Sequence, residues 1–246
     1  MEFKPFKKIP RLSREIIVTE KIDGTNASVC LIAGDAYAAG ALATAHHPEE
    51  GVLHMWVGSR TRWITPWKED NHGFAAWAYE HADELVLLGP GHHFGEWWGG
   101  SIQRGYGLKE KRFSLFNVER WQDPRLQAAG ELMPLKGQAW VPACCHVVPV
   151  LYRGHFSTDN VLCVLAELKG AGSAAAPGFM DPEGVVVFHT ASGHLYKKTI
   201  KGDEEGKHAE AHPPKPKVLR PPRDPSKGGR RIEQVEIGFT DRRKPK

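Results

Sequence analysis

Two short apolar runs, Ile16-Ile17-Val18 and Ala27 to Ile32, stand on either side of Glu20-Lys21-Ile22-Asp23-Gly24-Thr25-Asn26. Runs this short, carrying Ile and Val and broken by Asp-Gly, form strands rather than helices. Strands at Ile16 to Glu20 and Ala27 to Ile32 would make a β-hairpin around Asp23-Gly24, with Lys21 an ordinary surface cation. A second reading competes with the hairpin. A lysine held at a strand end, with carboxylates one residue before and two after, can act as a nucleophile. Lysine is a poor nucleophile while protonated, and burial or a second cation lowers a lysine's pKa. The heptapeptide alone leaves both readings open.

The rest of the chain reads as short strands with two helices. A strand over Trp56 to Trp63 leaves a Gly/Ala/His-rich loop. Apolar residues at helical spacing predict a helix over Phe74 to Leu88, stopped by Gly89-Pro90. Strands follow at His92 to Trp97 and Phe113 to Val118. Ser157-Thr158-Asp159 supplies N-cap candidates for a helix from Asn160 to Lys169, with Gly170 as its stop. Gly172 to Gly178 is a small-residue loop. Glu183 to His189 is a continuous apolar strand, expected to be buried on both faces. It pairs with Leu195 to Ile200 across Ala191-Ser192-Gly193-His194. Another strand is expected at Ile232 to Phe239. The fold class is α+β.

The chain has 246 residues, 41% hydrophobic and 25% charged, enough to bury a core. No apolar run reaches the roughly 18 residues of a membrane span, and Met1 to Pro10 lacks the apolar stretch of a secretory signal. The four cysteines, Cys30, Cys144, Cys145 and Cys163, are too few and too irregular for a disulfide framework. Cys144-Cys145-His146 has no second ligand pair at a zinc-site spacing. These readings fit a reducing, cytoplasmic setting. Charge is uneven. Residues 207–246 hold 12 Lys+Arg against 5 Asp+Glu, a net of +7, so a chain of +4 leaves residues 1–206 at −3. The segment also holds seven of the 18 prolines. Two parts are therefore expected: a domain over 1–206 and a basic, Pro-rich, partly disordered segment over 207–246.

Polar clusters recur at the ends of the expected strands. Glu20-Lys21 is followed by Gly58-Ser59-Arg60-Thr61-Arg62, then by Phe94-Gly95-Glu96-Trp97-Trp98-Gly99. Next come Phe113-Ser114-Leu115-Phe116-Asn117-Val118, Pro182-Glu183-Gly184-Val185-Val186 and Tyr196-Lys197-Lys198-Thr199. Each has a structural explanation when taken alone: a strand-end charge, a core ring, a solvated lysine pair. Six in this order are a different matter.

The order resembles the covalent nucleotidyltransferase superfamily of ATP-dependent RNA ligases, DNA ligases and mRNA capping enzymes. The resemblance covers Ile17 to Thr199. Lys21-Ile22-Asp23-Gly24 is similar to the motif that carries the adenylated lysine. Phe94-Gly95-Glu96, Phe113 to Val118, Glu183-Gly184-Val185-Val186 and Lys197-Lys198 are similar to the four motifs that follow it. DNA ligases and capping enzymes usually have arginine two residues after the motif glycine. Asn26 stands there in this chain. Gly24-Thr25-Asn26, Gly58-Ser59-Arg60-Thr61 and the wide Phe-Gly-Glu-Trp-Trp-Gly segment resemble the RNA ligase 2-like, phage-type branch. So does Gly172 to Gly178. That branch commonly separates its two last-motif lysines by one residue. Here they are adjacent and Thr199 follows.

The resemblance implies an ATP-grasp-like nucleotidyltransferase domain of mostly antiparallel sheets flanked by a few helices. It implies an ATP-dependent RNA ligase acting through lysyl-AMP in RNA repair, with Mg²⁺ or Mn²⁺ as metal. Lys21 is then the nucleophile, and Lys197 and Lys198 hold the α-phosphate. Glu20 reads the adenine amine, Phe116 stacks on adenine, Glu96 accepts from a ribose hydroxyl, and Arg60 grips phosphate. Ile22 and Asn26 complete the nucleotide site, and Glu183 is the metal's main protein partner. The expected substrate is RNA with 3′-hydroxyl and 5′-phosphate ends, duplex or nicked, and the expected state is a monomer. Forty-seven residues follow Thr199, too few for a large further domain, so a minimal ligase is expected. Two alternatives stand beside it: a DNA ligase or capping guanylyltransferase of the same superfamily, and a catalytically silent RNA-binding module.

Overall fold

The computed structural model describes residues 1–34, 38–66, 68–126 and 136–202. The chain divides into Met1–Glu204 and Glu205–Lys246. The strand expected at 232–239 and the segment 207–246 lie outside the described residues. Twelve strands and three helices are described. The strands are β1 (Glu15–Lys21), β2 (Thr25–Ala33), β3 (Ala43–His47), β4 (Gly51–Ser59), β5 (Gly91–Gly99), β6 (Lys111–Leu115), β7 (Trp121–Gln122), β8 (Ala139–Trp140), β9 (Cys145–Val147), β10 (Val150–His155), β11 (Gly184–His189) and β12 (His194–Thr199). The helices are α1 (Phe74–Glu80), α2 (Ala82–Leu85) and α3 (Thr158–Ala171).

These form a four-stranded sheet in the order β10-β1-β11-β12, a six-stranded sheet in the order β3-β4-β2-β5-β6-β9, and the small pair β7-β8. All pairings in the two larger sheets are antiparallel except β6 with β9. The fold is α+β, as the strand and helix pattern predicts.

The Asp23-Gly24 turn does not make a hairpin. β1 belongs to the smaller sheet and β2 to the larger, so the turn carries the chain from one to the other. The turn's amides explain why. The Asp23 N–H donates to Tyr106 Oη at 2.8 Å and the Gly24 N–H to Glu96 Oε1 at 3.1 Å, so neither closes a two-residue loop. Gly24 is required by space. A Cβ there would lie 2.5 Å from the Trp97 carbonyl oxygen and 2.7 Å from Trp98 Cβ.

The helix expected over Phe74 to Leu88 is broken. His81 leaves helical geometry (φ −107°, ψ 22°), and its backbone N–H and its ring both bond the Trp77 carbonyl. α2 and a 3₁₀ turn over Val86–Leu88 follow. Phe74 packs in the core against Trp97 and Phe113, with ring centroids 5.4 and 4.9 Å apart. α3 forms where its cap predicts: Ser157 Oγ accepts from the Asn160 N–H at 3.0 Å. It runs one residue past Gly170 and is ended by Gly172 at φ 86°.

α3 lays Val164 and Leu168 on Ile16, Val18, Val185 and Val187. These four share one face of the smaller sheet, since opposite residues of a pair point the same way and successive ones alternate. The other face of β11 carries Val186 and Phe188, which are only half-buried. This corrects the expectation of a strand buried on both faces. The apolar run hides a division between a fully packed face and one only partly covered, where Phe188 packs on the main core beside Ile17. The loop before Trp56 also contains a strand, β3, whose His-rich sequence lacks apolar alternation.

Candidate active site

β1 ends at Lys21, and its antiparallel register with β11 sets Lys21 opposite Gly184. Glu183 immediately precedes that position. Lys21 Nζ donates to Glu183 Oε2 at 2.6 Å, with the two side chains 25% and 17% exposed. The ammonium is thus held at the end of a packed sheet while remaining accessible. Gly184 fits its place because a Cβ there would lie 2.3 Å from the Lys198 carbonyl oxygen on β12.

β12 brings the lysine pair alongside. Val186 pairs with Lys197 and Val185 with Lys198. Lys197 therefore shares a sheet face with Val186, Thr19 and Lys21, whereas Lys198 shares the face that α3 covers. Thr199, opposite Gly184, lies on the Lys21 face. The last-motif lysine that register aligns with Lys21 is Lys197.

Glu96 comes from the larger sheet. Its carboxylate is tied to the turn through the Gly24 N–H, and it pairs across β2 with Asn26. Burial raises its pKa to about 7; Lys21 and the Gly24 N–H oppose the rise, while Glu183 and Asp23 add to it. Glu96 thus senses Lys21, Glu183 and Asp23 together, while Asp23 is itself ion-paired with Arg104 at 2.8 Å.

The remaining expected residues fall in different places. Asn26 is half-buried and its carbonyl accepts from Asn71 Nδ2 at 3.1 Å. Arg60 is exposed just beyond β4. Phe116 lies one residue past β6, 38% exposed, and its N–H continues the ladder to the Phe94 carbonyl at 3.0 Å. The Ile22 side chain is packed in the main core, 4% exposed. Glu20 lies on the α3 face of β1, 1% exposed. It accepts from Ser173 Oγ at 2.6 Å and the Ala175 N–H at 2.9 Å. Burial raises its pKa and these bonds counter the rise. The two bonds use half of the carboxylate's acceptor capacity, so it is burial that keeps Glu20 from further donors.

Sequence reasoning missed the residues that fix the turn. Arg104 Nε donates to Asp23 Oδ2 at 2.8 Å, and its Nη1 donates to Asp181 Oδ2 at 2.7 Å and to the Asp181 carbonyl at 2.9 Å. One guanidinium therefore joins the Lys21 turn to the segment entering Glu183. Tyr106, buried beside it, accepts from the Asp23 N–H, and burial raises its pKa. The available signal was Arg104-Gly105-Tyr106-Gly107, an arginine and a tyrosine set among glycines.

Among the described residues, no three His, Cys, Asp or Glu side chains converge as a metal cage. Glu183 fits a different kind of site. One of its carboxylate oxygens is engaged by Lys21, and Mg²⁺ accepts one carboxylate when waters and phosphates fill its other positions.

Comparison with solved structures finds a Naegleria gruberi RNA ligase mutant in its apo form, at 18% identity and a TM-score of 0.46, covering 76% of this chain and 50% of that one. A Naegleria gruberi RNA ligase mutant with ATP and Mn is similar at 18% identity and 0.46, covering 76% and 49%. Naegleria gruberi RNA ligase with PPi is similar at 19% identity and 0.45, covering 76% and 50%. The chain spans about half the length of these proteins. No curated protein matches it significantly. The family model described as RNA ligase matches residues 14–201, from the start of the Lys21 sheet to just beyond Thr199, and by that match the chain belongs to the RNA ligase family.

Proposed function

We propose that this protein is an ATP-dependent RNA ligase working through a lysyl-AMP intermediate. The observation that carries the reading is Lys21 Nζ held at 2.6 Å by Glu183, with Lys197 on the same sheet face and Glu96 anchoring the adjoining turn. In the first step Lys21 Nζ, having lost its proton, attacks the α-phosphorus of ATP. A P–N bond forms and the P–O bond to pyrophosphate breaks. In the second step an RNA 5′-phosphate oxygen displaces the lysine, forming a 5′-to-5′ pyrophosphate with AMP. In the third an RNA 3′-hydroxyl attacks the 5′-phosphate and AMP leaves.

Each transition state spreads negative charge over phosphoryl oxygens, so positioning and neutralisation do most of the work. Lys197 neutralises the α-phosphate, Glu96 accepts from a ribose hydroxyl, Phe116 offers a face to the adenine, and Arg60 grips a phosphate in its fork. Glu183 would hold the metal, Mg²⁺ or Mn²⁺, which stabilises developing charge when bound. The substrate is RNA bearing a 3′-hydroxyl and a 5′-phosphate, in the chemistry of break repair.

Incubation with α-labelled ATP and Mg²⁺ or Mn²⁺ tests this. A label that survives denaturation, is absent in Lys21→Ala and moves onto 5′-phosphorylated RNA is expected. Unlabelled wild type, or equal label in Lys21→Ala, rejects the reading. Sealing of matched nicks with RNA or DNA on either side then separates RNA joining from DNA joining.

A further inference from the structure

The Glu96 face of the larger sheet carries aromatic rings that the chemistry above does not use. β5 alternates, so His92 and Phe94 point to the same side as Glu96, while His93, Gly95 and Trp97 turn inward. His92 and Phe94 are exposed, the latter at 48%. Trp63, 52% exposed, arrives from beyond β4 and stacks on His92 at a centroid distance of 5.7 Å and an interplanar angle of 26°. His92 lies 4.1 Å from Phe94 at 32°. Three rings thus form a ladder standing on central strands of a six-stranded sheet.

The ladder is held in place. The segment from Ser59 to Ile64 folds back on β4 through Ser59 N–H to Arg62 O at 2.9 Å and Ile64 N–H to Val57 O at 2.9 Å. The Trp63 ring then lies over Gly58, where a Cβ would meet it at 3.3 Å. Partial burial lowers the His92 pKa, which favours a neutral ring. The ladder is also continuous with the active site. Phe94 lies two residues from Glu96 on the same face, and the Phe116 N–H bonds its carbonyl. Arg60 and Arg62, both exposed, precede Trp63 in sequence, and Arg62 lies 3.8 Å from Glu69.

Exposed rings in a row, preceded in the chain by two exposed arginines and continuous with the candidate nucleotide site, match what an unstacked nucleobase on a phosphate backbone needs. A protein partner's apolar side chain would not use the arginines. A paired base in a continuous duplex has both faces already stacked. From this juxtaposition we infer that the Trp63-His92-Phe94 ladder binds an unpaired nucleobase of the RNA next to the end being joined. The inference rests on the ligase reading and adds to it a substrate class: RNA with at least one unstacked nucleotide at the junction.

The test compares binding of a labelled single-stranded RNA dodecamer with that of an abasic strand of the same length and charge, using full-length protein at fixed salt. Wild type should bind the RNA more tightly than the abasic strand. Trp63→Ala should weaken the RNA about 10-fold, in line with the loss of one base–aromatic stack, and leave the abasic strand unchanged. Trp63→Phe should recover most of the loss, which separates stacking from misfolding. Lysyl-AMP formation should be equal in all three proteins. If lysyl-AMP never forms, the ligase reading fails while the binding comparison still stands by itself. Equal binding of the two strands by wild type, or an equal loss of both in Trp63→Ala, overturns the inference. Self-association that Trp63→Ala abolishes would assign the ladder to a second copy of the chain, and this too overturns it.

Discussion

At the scale of single residues, strand register separates two lysines that are adjacent in sequence. Lys197 lies on the Lys21 face and Lys198 on the face under α3. Lys197→Ala is therefore expected to slow lysyl-AMP formation about 100-fold or more, the usual effect of removing one preorganised donor from a developing oxyanion. Lys198→Ala should change it by less than about threefold on the same reasoning. Single-turnover labelling of both variants measures the contrast. Glu96 supplies a pH signature. Its carboxyl titrates at about 7 in the fold against 4.5 for an ordinary glutamate. The folded state then binds the extra proton, so stability conferred below pH 4.5 is lost as pH rises toward 7 and levels off above it. Glu96→Gln should flatten that fall. Urea midpoints of the two proteins at pH 5 and 7.5 give the comparison, and an unchanged difference between the two pH values would contradict the shift.

At the scale of elements, Arg104 is the clamp between the Lys21 turn and the approach to β11. Arg104→Ala leaves the half-buried Asp23 carboxylate without its guanidinium. Loss of a partly buried charged partner costs about 1–3 kcal/mol, and lysyl-AMP formation should fall with the loosened turn. Arg104→Lys should not restore it, because a single ammonium cannot bridge two carboxylates as a planar fork does. Denaturant midpoints and labelling rates together report both effects. The elements also mark how far the sequence could be read. β1, β2 and β11 were legible because each couples an apolar run to turn residues, and β5 and β12 because glycines bound them. α3 was legible from its Ser157 cap. β3 and β10 were not, since His46, His47, Arg153 and His155 interrupt their alternation. The hairpin that Asp23-Gly24 left open does not form, and local turn chemistry is silent about the longer-range partners that replace it. Tyr106 and Glu96 lie 83 and 72 residues further along. The candidate site residues stand in motifs, whereas Arg104 and Tyr106, which fix the turn, belong to none.

At the scale of the whole molecule, a body of net −3 precedes a segment of net +7. If residues 207–246 contact RNA phosphates, their removal should make RNA binding weaker and less salt-dependent, with a shallower slope of log affinity against log salt. ATP labelling of Lys21 should be untouched by the same truncation. A salt titration of RNA binding by both proteins decides the point, and an unchanged slope would exclude the segment from the interface.

The passage of Ile22 to Gly24 between the sheets has a mechanical consequence. The chain crosses in three residues, and both sheets meet those residues directly: the smaller through β1, the larger through Glu96 and the start of β2. So short a crossing leaves little slack at the join. Lys21, the last residue of β1, is therefore the point of the smaller sheet whose distance from the larger one the chain itself restricts most.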